Sequence, residues 1–134
     1  MSQENVEVVR RLYALMGRPD DASWNLIPPE FVADFSRRHV EPAVLRGRDE
    51  LRVYWDRFLD AWEVAGLSND PEELIDAGDA VVAFVHVSGR GKASGARVEA
   101  RVATVWTFRE GRPVAAQYFG EDREAALEAV GLSE

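Results

Sequence analysis

The sequence predicts an α+β fold, a helical first half followed by a curved antiparallel sheet wrapped around a pocket. Three β-type runs, Val81–Ser88, Val98–Phe108 and Val114–Phe119, are separated only by glycine-containing turns and followed by a short helical run. Before them, apolar residues recur at three- and four-residue spacing in two long segments. Near Glu73 the period drops from 3.6 to about 2, which marks the passage from helix to strand.

The first helix begins after the polar residues Ser2, Glu4 and Asn5, and its buried face is Val6, Val9, Leu12, Tyr13 and Met16. Gly17-Arg18-Pro19 ends it. Asp20 to Trp24 is expected to form a turn or short second helix that stops at Pro28-Pro29. Phe31–Arg38 alternates like a strand, with Val32, Asp34, Ser36 and Arg38 on one side. After Gly47, the stripe Leu51, Tyr54, Trp55, Phe58, Leu59 and Trp62 marks the main helix, which runs to Gly66.

Leu74–Asp76 and Ala80–Ser88 form a hairpin around Ala77-Gly78-Asp79. Gly89–Gly95 is expected to be an irregular connection to the long strand, and Glu110-Gly111 a tight turn into Val114–Phe119. Asp122 caps a last helix, Arg123–Val130, and Gly131 closes it. The expected order places the helices on one face of an antiparallel sheet.

Composition narrows the function classes. At 134 residues and 46% hydrophobic content, residues 1–134 suit one domain with a real core. A net charge of −8 repels phosphate-rich partners, so neither nucleic acid nor an anionic membrane surface is expected to bind. Cysteine is absent, which removes disulfides, thiolate metal sites and a cysteine nucleophile. The acidic, amphipathic start MSQENVEVVRR is unlike a signal peptide, and no apolar run spans a bilayer, so a cytoplasmic protein is expected.

Several segments resemble one family. They are Glu73–Asp79, Gly89-Arg90-Gly91 with Ser94-Gly95, Val105–Gly111 and Asp122–Leu132, together with Tyr13 and Arg46-Gly47-Arg48-Asp49. The chain resembles the SnoaL-like branch of the nuclear transport factor 2-like superfamily, the cone fold of ketosteroid isomerases and polyketide cyclases. The resemblance implies a cone-shaped, strongly bent antiparallel sheet wrapped around about three helices and a homodimer through the outer sheet face. It leaves activity open, because this fold hosts isomerases, cyclases, dehydratases, hydrolases, ligand binders and non-catalytic subunits.

The resemblance also implies positions for chemistry. Where the similar isomerases place a catalytic aspartate this chain has Arg38, a permanent cation, and where they place a second acid it has Thr104. Tyr13 matches their oxyanion tyrosine.

The catalytic candidates are Asp34 and His39, from the residues themselves, and Tyr13, from the resemblance. An Asp34–Arg38 pair on one strand face would hold the carboxylate ionised and suit anchoring more than proton transfer. His86 has opposite parity to Val81, Ala83 and Val85, which predicts a structural place away from the pocket. Two lone histidines lack a metal-ligand pattern, so neither a metal nor another cofactor is expected.

Parity on the long strand makes Thr104, Trp106 and Phe108 expected pocket lining, with Gln117 and Phe119 from its neighbour and Arg38, Tyr54 and Trp55 from the first half. The expected partner is a small apolar or aromatic molecule, its polar end fixed by Arg38 or Gln117. The expected function is that of a metabolite-binding pocket protein without the isomerase acid–base set; the alternative is a small cofactor-independent enzyme acting on a polyketide- or steroid-like substrate.

Overall fold

The computed structural model of the protein describes residues 2–16, 24–63 and 67–132. Its elements run α1 (Ser2–Leu15), β1 (Val32–Asp34), β2 (Val44–Arg46), α2 (Arg48–Asp60), β3 (Ser68–Asp76), β4 (Ala80–Arg90), β5 (Arg97–Arg109), β6 (Arg112–Gly120) and α3 (Arg123–Ala129). The strands form one sheet in the order β2-β1-β6-β5-β4-β3. Much of the expected turn or helix from Asp20 to Trp24, and the end of the main helix at Gly66, lie outside the described residues.

The sheet is α+β in character but mixed, where a purely antiparallel one was expected. β1 runs parallel to β6, with Ala33 opposite Ala116. Most of the chain separates these two strands, so no hairpin dictates their relative direction.

Two apolar layers cover the sheet. On one face α1 buries Val6, Val9, Leu12 and Tyr13, and α2 buries Leu51 and Tyr54, against Val81, Ala83 and Val85 of β4 and Trp106 and Phe108 of β5. On the other face α3 sets Ala126 and Leu127 against Val82, Phe84, Ala103, Val105 and Phe119. The helices therefore occupy both faces, contrary to the expectation of one. The reason is period 2: the centre of β4 is apolar on both sides, and a strand of that kind needs two covers.

Strand limits follow local chemistry. The strand expected over Phe31–Arg38 stops at Asp34, whose carboxylate accepts bonds from the Ser36 amide at 2.9 Å and hydroxyl at 2.6 Å. Such an Asx bond closes a turn in place of a ladder bond. The chain returns as β2, a strand the periodicity did not reveal. β3 begins at Ser68, well before Leu74, and carries Pro71 because it lies at the sheet edge. β4 extends through Gly89 to Arg90, which shortens the expected glycine loop.

Gly47 precedes α2 at φ 102°, donates its N–H to the Phe31 carbonyl at 2.7 Å, and lies so close to Pro29 that a Cβ would come within 3.3 Å of its carbonyl oxygen. Asp122 caps α3 by accepting the Ala125 amide at 3.0 Å, as expected.

The β5–β6 hairpin decides which side chains face inward. Glu110 and Gly111 both take positive φ, 52° and 77°, and set Arg109 opposite Arg112 and Phe108 opposite Pro113. The register then slips by one residue, placing Thr107 opposite Ala115, Trp106 opposite Ala116 and Thr104 opposite Tyr118. A one-residue bulge exchanges the two faces of the strand beyond it. Pro113, which has no N–H to give the ladder, stands at the slip.

Candidate functional site

A cavity of about 330 Å³ lies between the sheet and helices α1 and α2. Alternation supplies one wall, because Val98, Ala100, Val102, Thr104 and Trp106 point inward from β5 and Ala116 and Tyr118 from β6. Leu51, Trp55, Phe58 and Trp62, at helical spacing, supply the opposite wall from α2 and the turn after it. All four tryptophans of the chain line the cavity.

Within the lining the buried Trp106 indole donates to the Tyr13 hydroxyl at 3.0 Å, the rings meeting edge-on with centroids 5.7 Å apart. Thr104 adds its hydroxyl to this group. Burial outweighs both bonds and pushes the Tyr13 pKa up to about 12. Tyr13 is thus a neutral phenol that can donate a proton in a hydrogen bond but is not a base near neutral pH.

At another part of the lining, Arg38 donates to the Tyr54 hydroxyl at 2.6 Å, and Tyr54 donates onward to the Glu41 carbonyl at 3.0 Å. The guanidinium lies 4.8 Å from the Phe58 ring centre and 5.6 Å from that of Tyr54. Phe35 stacks on Tyr54 at 5.4 Å and meets Tyr118 at 6.3 Å. The Tyr118 pKa is raised by burial, opposed by the nearby Arg38 charge.

The cavity brings together Tyr13, Arg38, Trp55, Thr104 and Trp106 among the residues singled out from sequence. Tyr54 stands behind Arg38 and holds it. Phe108 is buried in the core on the cavity's side of the sheet without lining it.

Gln117 and Phe119 are corrections. Gln117 is exposed, and Phe119 packs in the opposite layer under the Arg37 guanidinium, 4.6 Å from its ring centre. The slip at Pro113 gives their expected inward places to Ala116 and Tyr118. Pro113 within a strand was the legible signal for it.

Asp34 and His39 also lie outside the lining. The expected Asp34–Arg38 pair does not form, because the turn at Ser36 interrupts the parity that would have aligned them. Hydrogen bonds from the Ser36 hydroxyl and amide lower the Asp34 pKa and fix the carboxylate as turn structure. His39 is exposed in the following loop. His86 bonds Glu99 at 2.6 Å on the face away from the cavity.

Tyr118, Phe35, Phe58 and Trp62 line the cavity without having been singled out for it. For Phe58 and Trp62 the helical spacing with Trp55 was the available sign. Among the described residues no three His, Asp or Glu side chains gather at metal-binding distance, and no helix is long and apolar enough to cross a membrane.

Solved structures share this architecture. Bal32a, from a soil-derived mobile gene cassette, is 18% identical with a TM-score of 0.79, the match covering 90% of this chain and 92% of that one. A SnoaL-like protein of Jannaschia sp. CCS1, named for polyketide cyclisation, is 22% identical with a TM-score of 0.76, covering 98% and 94%. SalBIII, an epoxide hydrolase/cyclase-like enzyme of pyran ring formation in salinomycin, is 20% identical with a TM-score of 0.72, covering 90% and 94%. No curated protein matches the sequence. The model of the SnoaL-like domain matches residues 9–116, most of the chain. That match establishes that the chain belongs to the SnoaL-like domain family.

Proposed function

We propose that this SnoaL-like protein binds an apolar, ring-containing small molecule in the cavity and does so without the acid–base pair of the steroid isomerases. One observation carries the reading: the described lining holds no carboxylate and no histidine, only aromatic and aliphatic side chains with a few hydroxyls, an amide and one guanidinium. Its volume is in the range of small-molecule sites. Proton abstraction beside a carbonyl needs a carboxylate or imidazole poised in the cavity. Arg38 and Tyr13 cannot serve as one near neutral pH.

Because every tryptophan lines the cavity, ligand entry should change intrinsic fluorescence directly. A panel of naphthalene, anthracene and steroid probes should quench emission and raise the melting temperature. A panel that does neither would remove the reading. A standard unsaturated ketosteroid should turn over no faster than in buffer.

A second reading, a small cofactor-independent isomerase, cyclase, dehydratase or hydrolase acting on a polyketide- or steroid-like substrate, is favoured by the Tyr13–Trp106–Thr104 group. The indole bond to Tyr13 leaves the phenol proton available to a ligand oxygen, an arrangement that polarises a carbonyl. Turnover of such a substrate, lost in Tyr13→Phe with binding retained, would establish it.

A homodimer through the sheet face opposite the cavity belongs to the same proposal, supported by the family resemblance. α3 already covers Ala103 and Val105 on that face. Its outer surface also carries the pairs His86–Glu99, Arg101–Glu72 and Arg123–Glu73, so the contact would be largely polar.

A further inference from the structure

Several surface arginines of this protein are matched by acids. Arg10 pairs with Glu7, Arg37 with Asp122, Arg57 with Glu41, Arg90 with Glu63 and Arg101 with Glu72. The acids, 24 against 16 basic residues, are numerous enough to supply partners. Arg38 differs. It is the one charged side chain of the described lining, and among the described residues it forms no ion pair.

Placing a guanidinium against an apolar cavity costs solvation, which is ordinarily recovered by a counter-charge. Here one Nη donates to Tyr54, whose own proton goes to the Glu41 carbonyl, so the phenol is fixed as an acceptor and holds the guanidinium in place. The ring faces of Phe58 and Tyr54 support it from the side. A guanidinium has five N–H donors in a rigid fork suited to a carboxylate. The rest of that fork is held beside the cavity with no protein acid opposite.

The body of the site has a matching form. Trp55 and Phe58 stack with centroids 4.8 Å apart, and Phe58 meets Trp62 at 5.9 Å, forming a continuous aromatic wall that starts beneath the guanidinium. Flat rings pack on such a wall while an acidic substituent at one end reaches the fork.

Resting on the proposal that the cavity binds a small molecule, we infer that its ligand class is a planar aromatic carboxylate, with the Arg38 guanidinium as its counter-ion and the α2 aromatic wall as its ring platform. Tyr54 acts as a positioning residue for Arg38. The Tyr13–Trp106–Thr104 group remains for a second polar substituent.

The test compares naphthalene-2-carboxylate with naphthalene-2-carboxamide, and the corresponding anthracene pair, by calorimetry and tryptophan quenching at neutral pH. The wild-type protein should bind each carboxylate about tenfold or more tighter than its amide, the difference a charge-assisted bond contributes. Arg38→Gln should abolish that preference, and Arg38→Lys, which keeps the charge without the fork, should fall between.

A salt titration of the wild type reads the same contact without any variant. Carboxylate affinity should weaken with rising salt and carboxamide affinity should not. Equal binding of acid and amide by the wild type, a preference that survives in a folded Arg38→Gln protein, or salt-independent carboxylate binding would each overturn the inference while leaving the cavity reading intact. Failure of all probes to bind would overturn both.

Discussion

Tyr13 is buried on the cavity wall, where loss of water disfavours the phenolate and holds its pKa near 12 against an ordinary 10.0. Below the ordinary value, folded and unfolded chains both keep the proton. Between the two values only the folded chain keeps it, so proton release pulls toward unfolding, and stability should fall as pH climbs through that window. The full effect is on the order of 2–3 kcal/mol. Denaturant midpoints measured across the window should drop more steeply for wild type than for Tyr13→Phe. At neutral pH the same substitution leaves the buried Trp106 indole N–H without its acceptor and should cost about 1–3 kcal/mol by chemical denaturation. Asp34→Ala, by contrast, removes only turn bonds at a site outside the cavity. It should cost about 1 kcal/mol and leave probe affinity unchanged. The sequence placed Tyr13 in its helix face by spacing alone, whereas Asp34 was misjudged because strand parity holds only while the strand lasts, and this residue's own carboxylate ends it.

At the scale of elements, β5 was legible because every second residue from Val98 to Trp106 faces the cavity. β6 was not. Counting back from the Glu110-Gly111 turn without a bulge puts Gln117 opposite Thr104, and the slip at Pro113 replaces it with Tyr118. β2 escaped notice because three residues are too few to show a period, and the parallel seam because it joins distant parts of the chain. Gly89 shows why glycine content alone misleads about loops. It lies inside β4 on the cavity side, where a Cβ would stand 2.8 Å from a Trp62 ring carbon and 3.2 Å from Leu67. The glycine makes room for an aromatic ring against the backbone. Gly89→Ala should displace Trp62, cost about 1–3 kcal/mol through overpacking, and shift tryptophan emission. An unchanged spectrum together with unchanged stability would mean that the indole is not seated there.

At the scale of the molecule, α3 covers Ala103 and Val105 on the sheet face through which pairing of two copies is expected from the resemblance, and leaves there a surface with exposed ion pairs. If copies associate there, contacts of this kind weaken with ionic strength. Sedimentation should find a dimer at micromolar concentration and low salt that shifts toward monomer as salt rises. A monomer throughout would remove the dimer. The parallel seam carries a further consequence. β1 meets β6 through three residue pairs, whereas β4 and β5 share eleven, and Ala33, Phe35 and Arg38 all belong to the part of the wall attached through that short seam. The free energy of local opening is lowest where few ladder bonds must break. This wall should therefore breathe while the β3–β6 meander stays closed, giving a solute a way in that leaves the main core undisturbed. In hydrogen exchange, the amides of Val32–Asp34 should trade their protons well before those at the centre of β4, and a bound aromatic acid should slow them selectively.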